Sequence, residues 1–320
     1  MTEFDLIRVH FASQPVKRRD VRIGIGDDAA VVRPPAGHEL VMTSDVLVAG
    51  VHFFAQADAG GIGHKSLAVN LSDLAAMGAE PAWFLLDLTL PESDPAWLEG
   101  FAQGLYGLAR HHNVQLIGGD TCRGPLSIAI TAIGFVPEGK GLLRSGARPG
   151  DRVCVTGTLG DAALALAQQR GERSLTPVQA AAVAERLDRP LPRVAEATAL
   201  RDLASSAIDI SDGLLGDLTH ILEESGAGAR IRRDAVPLSD IYRQHLPEIG
   251  WEYALTGGDD YELCFTVAAA NMPAVEALAR QIGFPVTTIG EITPNRALEV
   301  YDGAGRPYLP KVRGHEHFAK

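Results

Sequence analysis

The chain has 320 residues, of which 46% are hydrophobic and 22% charged, and its formal net charge at pH 7 is −11. This composition is typical of a globular protein with about two domains, and the acidic excess argues against general nucleic-acid binding, which needs basic surfaces. The start of the chain lacks the features of a secretion signal and no segment has eighteen uninterrupted apolar residues, so we expect a cytoplasmic protein without a membrane span.

The first half of the chain alternates predicted strands and helices. β-branched and apolar runs predict strands over 21–26, 39–48, 82–90, 114–120 and 126–136. Apolar residues at helical spacing predict helices over 64–78 and 95–112. The first of these helices carries Asp73 in the middle of an apolar stretch. An unpaired carboxylate buried there would cost on the order of several kcal/mol. We therefore expect Asp73 to face solvent, a base or a cation.

A segment rich in glycine and basic residues, EGKGLLRSGARPGD, follows the first half. It suggests an N-terminal domain over 1–137, a linker over 138–150 and a C-terminal domain over 151–320. In the second domain the pattern predicts strands over 151–157, 205–210 and 261–269, and helices over 161–169, 175–187, 211–225 and 271–283. A faint internal echo joins LIGGDT in the first half to LTGGDD in the second.

Aspartates recur beside glycine or at the ends of predicted strands. They are Asp27, Asp28, Asp45, Asp120, Asp209, Asp212, Asp259 and Asp260, joined by Asp73 on its helix. Oxygen donors without cysteine suit hard cations such as Mg²⁺, which takes one or two carboxylates and completes its shell with water and phosphate. So many aspartates indicate several ions, or a polyanionic substrate bridged by them. The alternative, a turn residue or helix cap, is favoured for Asp94 and Asp161.

Several common catalytic patterns are absent. GGIGHKS departs from a phosphate-binding P-loop at His64, and neither a G-x-G-x-x-G nor a G-x-S-x-G sequence is present. The three cysteines, Cys122, Cys154 and Cys264, have no C-x-x-C spacing. This usage indicates a reduced protein and excludes a cysteine-rich zinc site.

Seven motifs together carry a family resemblance. In chain order they are GDDAAV (26–31), TSDVLVAGVHF (43–53), NLSDLAAMGAEP (70–81), GGDT (118–121), TGTLGD (156–161), DISDG (209–213) and GGDDYEL (257–263). With this set the chain resembles the thiamine-monophosphate kinases and, more widely, the superfamily of aminoimidazole-ribonucleotide synthetase and selenophosphate synthetase. The resemblance covers about residues 20–320.

The resemblance implies a two-domain chain of the PurM-like fold, in the α+β / α/β class. It also implies a homodimer in which the N-terminal sheet pairs with the same sheet of a second copy. It implies phosphorylation of thiamine monophosphate by ATP with several Mg²⁺ ions, and neither a nucleic acid nor a membrane as partner. The implied metal ligands are Asp27, Thr43, Ser44, Asp45, Asp73, Asp120, Asp209 and Asp212, of which Asp73, Asp120 and Asp212 are the implied catalytic residues. The implied nucleotide contacts are Gly119, Arg144, Ser211 and Tyr106, and the implied thiamine contacts are His52, Glu262 and Phe318.

Other interpretations stay open at this point. Arg144 is either a phosphate ligand or a plain linker residue, His52 a substrate contact or a sheet-edge histidine, and Phe318 a stacking ring or a packing residue. The chain departs from the family pattern at Ala49, Asp259 and His315, which leaves a contact by His315 in question. Another ATP-using synthetase of the superfamily, or a non-catalytic protein that binds metal and nucleotide, is the alternative function. Selenide chemistry is disfavoured because residues 1–30 contain no cysteine.

Overall fold

The computed structural model describes residues 6–12 and 14–310 of the chain. The chain forms two compact units, Met1–Leu74 with Ala79–Gly139, and Ala75–Gly78 with Lys140–Lys320. The passage from Gly139 to Lys140 lies inside the segment predicted as the linker. No helix within the described ranges is long and apolar enough to cross a membrane.

Among the residues that the structure describes, the first unit is built on a four-stranded sheet with two helices. Its elements are a π-helical turn (Ile7–Phe11), β1 (Val21–Ile23), β2 (Val31–Val32), β3 (His38–Val48), α1 (Ala59–Ala76), β4 (Glu80–Leu90), α2 (Pro95–His111), β5 (Gln115–Arg123) and β6 (Ser127–Pro137). The strand order is β3-β6-β4-β5. The pair β4–β5 is parallel, and β6 pairs antiparallel with both β3 and β4.

The two faces of this sheet have different surroundings. Helices α1 and α2 cover one face, here called the inner face, where Leu71 and Phe101 pack against strand residues such as Leu86 and Ile130. The residues that alternate with these along each strand point to the opposite side of the sheet, here called the outer face. One end of the outer face holds Trp83 and Phe135, against which β1 and β2 pack, whereas side chains further along, such as Met42, are exposed.

The second unit is built on a six-stranded sheet with helices on both faces. Its elements are β7 (Arg152–Thr156), α3 (Asp161–Gln169), α4 (Pro177–Asp188), α5 (Val194–Leu200), β8 (Ala204–Asp209), α6 (Leu214–Ser225), β9 (Gly228–Arg232), α7 (Asp240–Ile249), α8 (Glu252–Thr256), β10 (Leu263–Val267), α9 (Met272–Ile282), β11 (Val286–Thr293) and β12 (Leu298–Tyr301). The strand order is β12-β9-β11-β7-β10-β8, antiparallel except for the β12–β9 pair. Helices α3, α4 and α6 pack on one face, and α5 and α9 on the other.

Helix α1 begins at Ala59, earlier than the predicted start at residue 64. Asp58 precedes it and accepts a hydrogen bond from the Gly61 amide at 2.7 Å, as an N-cap residue does. Glycine in this stretch allows α1 and α2 to approach closely, since a Cβ on Gly63 would lie 2.1 Å from the Phe101 carbonyl oxygen. Packing therefore overrides the low helix propensity of this stretch.

The predicted internal echo has no structural counterpart. LIGGDT lies on β5, whereas LTGGDD covers the end of α8 and an irregular loop before β10. The two hexapeptides thus adopt different backbones, and the faint sequence echo does not correspond to a shared local structure. The sequence also missed β9, β11, β12, α5, α7 and α8.

Candidate active site

Asp73 lies on the face of α1 that meets β3. Its carboxylate accepts a hydrogen bond from the Thr43 hydroxyl at 2.5 Å, and the neighbouring side chain of Asn70 accepts one from the Asp45 amide at 3.1 Å. Asp73 is only partly buried, while Leu71 and Leu74 beside it are fully buried. The apolar residues therefore hold the helix in the core, and the carboxylate stands at the edge of that core beside a strand hydroxyl.

Ser44 and Asp120 lie on the outer face of the same sheet. The Ser44 hydroxyl is 3.1 Å from the Thr131 hydroxyl, and Asp120 pairs in register with exposed Asp87. Adjacent strand residues point to opposite faces, so the side chains of Thr43 and Ser44 cannot reach the same ion. The structure thus separates two predicted ligands from Asp73, and the metal roles of Ser44 and Asp120 stay predictions.

The donor chemistry of the inner-face residues fits Mg²⁺. Within residues 6–12 and 14–310, no three histidine, cysteine, aspartate or glutamate side chains come together closely enough to hold a metal ion. Thr43, Asp45 and Asp73 offer only oxygen donors, whereas Asp27 is exposed between β1 and β2 and its metal role stays a prediction. Magnesium usually takes few protein ligands and fills its octahedron with water and substrate phosphates. The arrangement fits an ion that a substrate completes.

In the second unit, Asp209, Ser211 and Asp212 lie where β8 ends and before α6 begins. Asp209 is buried and pairs with Leu263 of β10, whereas Ser211 and Asp212 are partly exposed. Helix α6 starts at Leu214, later than the predicted start at residue 211. Two aspartates and a hydroxyl are thereby presented at a strand end, beside the N-terminus of a helix, which is a favourable place for anionic groups of a ligand.

Glu262 is 1% exposed, and protein groups surround its carboxylate. Arg193 donates to it from Nε at 2.6 Å and from Nη2 at 2.5 Å, Arg186 donates from Nη2 at 2.8 Å, and the Thr156 hydroxyl donates at 2.7 Å. Burial alone would raise the pKa of Glu262. The hydrogen bond and charge of Arg193, the charge of Arg186 and the hydrogen bond from Thr156 together lower this pKa below its usual range. Glu262 and the two arginines thus form a buried ion-pair cluster. The contact of Glu262 with thiamine stays a prediction.

Replacing Glu262 with glutamine is expected to destabilise the protein by up to about 3–5 kcal/mol at pH 7, because two arginines lose their buried counter-charge. Since the folded pKa lies below the ordinary 4.5, this contribution is present above about pH 4.5 and is lost as the pH falls through the lower folded value. Thermal unfolding at pH 7 and over a series of pH values below 4.5 measures it. Glu291→Gln is the control: its pair with Arg152 is half-exposed, so a change below about 1 kcal/mol is expected. Equal effects of both substitutions would contradict the cluster.

The remaining predicted residues occupy separate places. Gly119 lies on β5 with φ +135°, His52 accepts a hydrogen bond on Nδ1 from the Val48 amide at 3.0 Å, and Arg144 is exposed. Phe318 and His315 lie outside the described residues. None of these assignments is tested by the geometry, and they stay predictions.

Tyr106 lies on α2 at a groove against the N-terminal segment. Its hydroxyl donates to the Phe11 carbonyl oxygen at 2.9 Å, which fixes that segment. The groove has a volume of about 630 Å³, in the range of small-molecule sites. Its lining is Val9, His10, Gln14, Pro15, Glu99, Ala102, Gln103, Tyr106, Gly107 and Arg110. A nucleotide contact by Tyr106 would use this groove, and that role stays a prediction.

Sequence reasoning missed the residues that surround the predicted ones in the second unit. Arg186 and Arg193 are far from Glu262 along the chain, so no local sequence pattern indicates that they contact it. Asp217 is different: it follows the DISDG motif by four residues, one helical turn. Burial, followed by the charge of Asp212, raises the pKa of Asp217 to about 7.

Comparison with known proteins identifies both halves of the chain. Residues 26–136 match the family described as AIR synthase related protein, N-terminal domain, and residues 148–303 match the corresponding C-terminal domain. The chain is 47% identical over 319 residues to the thiamine-monophosphate kinase of Escherichia coli (strain K12), covering 99% of this chain and 98% of that protein.

Solved structures give the same result. The crystal structure of thiamine-monophosphate kinase from Stenotrophomonas maltophilia K279a matches with a TM-score of 0.85 and 45% identity, covering 95% of this chain and 96% of that one. A structure described as AaThiL complexed with AMPPCP and TMP matches with a TM-score of 0.76 and 31% identity, covering 91% and 92%. The predicted PurM-like fold class is confirmed. The chain therefore belongs to the AIR synthase related proteins and, among them, to the thiamine-monophosphate kinase family.

Proposed function

We propose that this protein transfers the γ-phosphoryl group of ATP to thiamine monophosphate and releases thiamine diphosphate and ADP. The observation that carries the proposal is the 47% identity, over 319 residues, to a thiamine-monophosphate kinase. The relative described with AMPPCP and TMP supports it, since AMPPCP is an ATP analogue and that structure therefore pairs a nucleoside triphosphate with the acceptor.

The reaction asks for positioning and charge neutralisation. A phosphate oxygen of the acceptor attacks the γ-phosphorus, a new P–O bond forms, the β–γ bridging P–O bond breaks, and its electron pair leaves with ADP. The acceptor oxygen is already deprotonated at neutral pH, because the second pKa of a phosphomonoester is near 6. The chain's own residues must therefore align two anions rather than remove a proton.

We propose that Asp45 and Asp73 in the first unit hold Mg²⁺ through their carboxylates, and that Asp209 and Asp212 in the second unit do so as well. The ion, when bound, neutralises charge on the phosphate oxygens. ATP and the monophosphate together carry a charge of about −5 to −6, which bare aspartates would repel. The fit rests on the oxygen-only donors described above.

Incubation with ATP and thiamine monophosphate, followed by chromatography of the products, tests the function. Formation of thiamine diphosphate with stoichiometric ADP is expected. ATP binding without turnover would favour a non-catalytic binding protein, and turnover only with formylglycinamidine ribonucleotide or selenide would favour another synthetase of the superfamily. The cytoplasmic location also stays a prediction.

Activity is expected to rise further when Mg²⁺ exceeds the concentration that complexes ATP. This expectation rests on the number of carboxylates proposed as metal ligands, which exceeds what one Mg²⁺ ion uses. The protein is first stripped with a chelator, and initial rates are then followed against free Mg²⁺ at fixed ATP–Mg²⁺. Saturation at one equivalent of Mg²⁺ per ATP would refute the requirement for more than one ion.

We further propose that two copies of the chain pair through the outer face of the first sheet. Strand β3 is at the edge of that sheet, and Leu40, Met42 and Val46 on its outer side are 43%, 63% and 52% exposed. An exposed apolar edge strand is a liability that proteins cover. The family resemblance implies the same pairing.

Met42→Asp is therefore expected to convert a dimer into a monomer, because a charge would be buried in the apolar interface. Light scattering at micromolar concentration measures the mass. Val178→Asp is the matched control, since Val178 is 80% exposed on α4 of the second unit and is expected to leave the mass unchanged. A wild-type protein of monomer mass would contradict the pairing.

A further inference from the structure

The segment 210–213 lacks regular secondary structure, yet backbone hydrogen bonds fix it on one side. The Asp259 amide donates to the Ser211 carbonyl oxygen and the Tyr261 amide to that of Ile210, each at 2.8 Å. The Ile210 amide donates to the Glu262 carbonyl oxygen at 2.8 Å. The loop 257–262 thus acts as an irregular extension of the β8–β10 pairing.

This loop adopts a backbone that few residues favour. Asp259 has φ +67° and Tyr261 φ +50°, and left-handed conformations of non-glycine residues cost of order 1 kcal/mol or more. Gly258 packs so closely that a Cβ there would lie 2.4 Å from the Ser211 carbonyl oxygen. Strain of this kind persists only where surrounding contacts impose it, and such places cluster at functional sites.

The other side of the segment is held by one buried carboxylate, that of Asp217 on the first turn of α6. Its Oδ2 atom accepts hydrogen bonds from the Asp212 amide at 3.1 Å and the Gly213 amide at 3.0 Å. The Ser211 amide is a further hydrogen-bond donor to this carboxylate. Asp217 is 3% exposed. It satisfies amides that precede a helix, which would otherwise lack partners in the interior.

We propose that Asp217 is a positioning residue for phosphoryl transfer, which orients Ser211 and Asp212 by holding their backbone amides from beneath. The proposal rests on the function proposed above. With the carbonyl oxygens of 210 and 211 held by the loop and the amides of 211–213 held by Asp217, the backbone has little freedom. The side chains of Ser211 and Asp212 are then presented in one direction, which is what alignment of a transferred group requires.

The contrast between Asp217→Ala and Asp217→Asn tests this role. Alanine removes the acceptor, and kcat is expected to fall on the order of 10²-fold, as for a displaced catalytic group. Asparagine keeps one side-chain oxygen, and both measured bonds use a single oxygen, so kcat is expected to stay within about fivefold of wild type. The free Mg²⁺ giving half-maximal rate is expected to rise with alanine and not with asparagine. Amide hydrogen exchange of a peptide covering 209–217 is expected to accelerate with alanine only.

Asp161→Asn and Asp161→Ala are the matched controls. Asp161 is also buried in the second unit and accepts hydrogen bonds from Ser239 at 2.6 Å and Thr158 at 3.5 Å, away from the segment 210–213. These variants are expected to lose stability while the folded protein keeps its kcat and its Mg²⁺ response. Wild type assayed in parallel separates the two questions, since a wild-type protein without turnover refutes the proposed function itself.

Two results would overturn the positioning role in an active protein. A folded Asp217→Ala variant with unchanged kcat and Mg²⁺ response would show a purely structural residue. An Asp217→Asn variant as inactive as the alanine variant, with normal amide protection, would show that the charge of Asp217 acts directly. If alanine prevents folding, Asp217→Asn still decides: kcat and amide protection that stay or fall together support positioning, and a change in only one of them refutes it.

Discussion

Replacing Asp73 with asparagine is expected to lower kcat by at least on the order of 10³-fold while the protein keeps its fold. In the proposed function this carboxylate neutralises a cation that the phosphates share, and several kcal/mol of charge stabilisation depend on it. Asparagine preserves the shape and one oxygen, so the Thr43 hydroxyl, 2.5 Å from Asp73 in the structure, keeps an acceptor. The expected change in stability is therefore within about 1 kcal/mol.

Steady-state kinetics with ATP and thiamine monophosphate, together with thermal unfolding, measure the two effects separately. Asp94→Asn is the matched control in the same unit: Asp94 caps α2 by accepting the Ala96 amide at 2.9 Å, and asparagine caps a helix equally well. That variant should keep both activity and stability. Loss of folding and activity together in Asp73→Asn would instead indicate a structural role for Asp73 in the first unit.

The sequence located Asp73 and the DISDG segment because each stands out locally. An acid in the middle of a buried apolar helix is costly without a purpose, and DISDG combines acids with a glycine at a strand end. In the structure Asp73 meets a hydroxyl at the edge of the core, and the segment around Asp212 lies before a helix N-terminus. The metal and catalytic roles of these residues stay predictions.

The sequence did not reveal which face each residue occupies or which distant groups it meets. The predicted metal ligands Thr43, Ser44 and Asp45 are consecutive on a strand, and its period of two places the side chain of Ser44 on the opposite face from the other two. The two arginines that hold Glu262 lie 69 and 76 residues from it, and only tertiary packing brings them there. The strands β9 and β12 were missed because five and four residues carry little pattern, and the pairing of β11 with β7 and β9 is non-local.

Thiamine monophosphate is expected to be phosphorylated with a kcat/KM at least about 10³-fold above that of unphosphorylated thiamine, because positioning supplies several kcal/mol of a barrier. The monophosphate brings an oxyanion that is already charged and that anchors the acceptor beside ATP. Thiamine brings a hydroxyl whose proton must leave during attack, which calls for a base within hydrogen-bond reach. The two acceptors therefore differ in anchoring and in the demand for proton transfer.

The predicted substrate contact His52 is not arranged as that base. Its Nδ1 atom accepts the Val48 amide at 3.0 Å, so in the neutral ring the proton resides on Nε2 and neither nitrogen is placed to take up a proton. The acceptors are compared at saturating ATP and Mg²⁺ by chromatography of the products, with His52→Gln alongside wild type. That substitution keeps a donor and is expected to raise KM for the monophosphate more than it lowers kcat. A comparable kcat/KM for thiamine would refute both the acceptor assignment and the argument that its phosphate is the anchor.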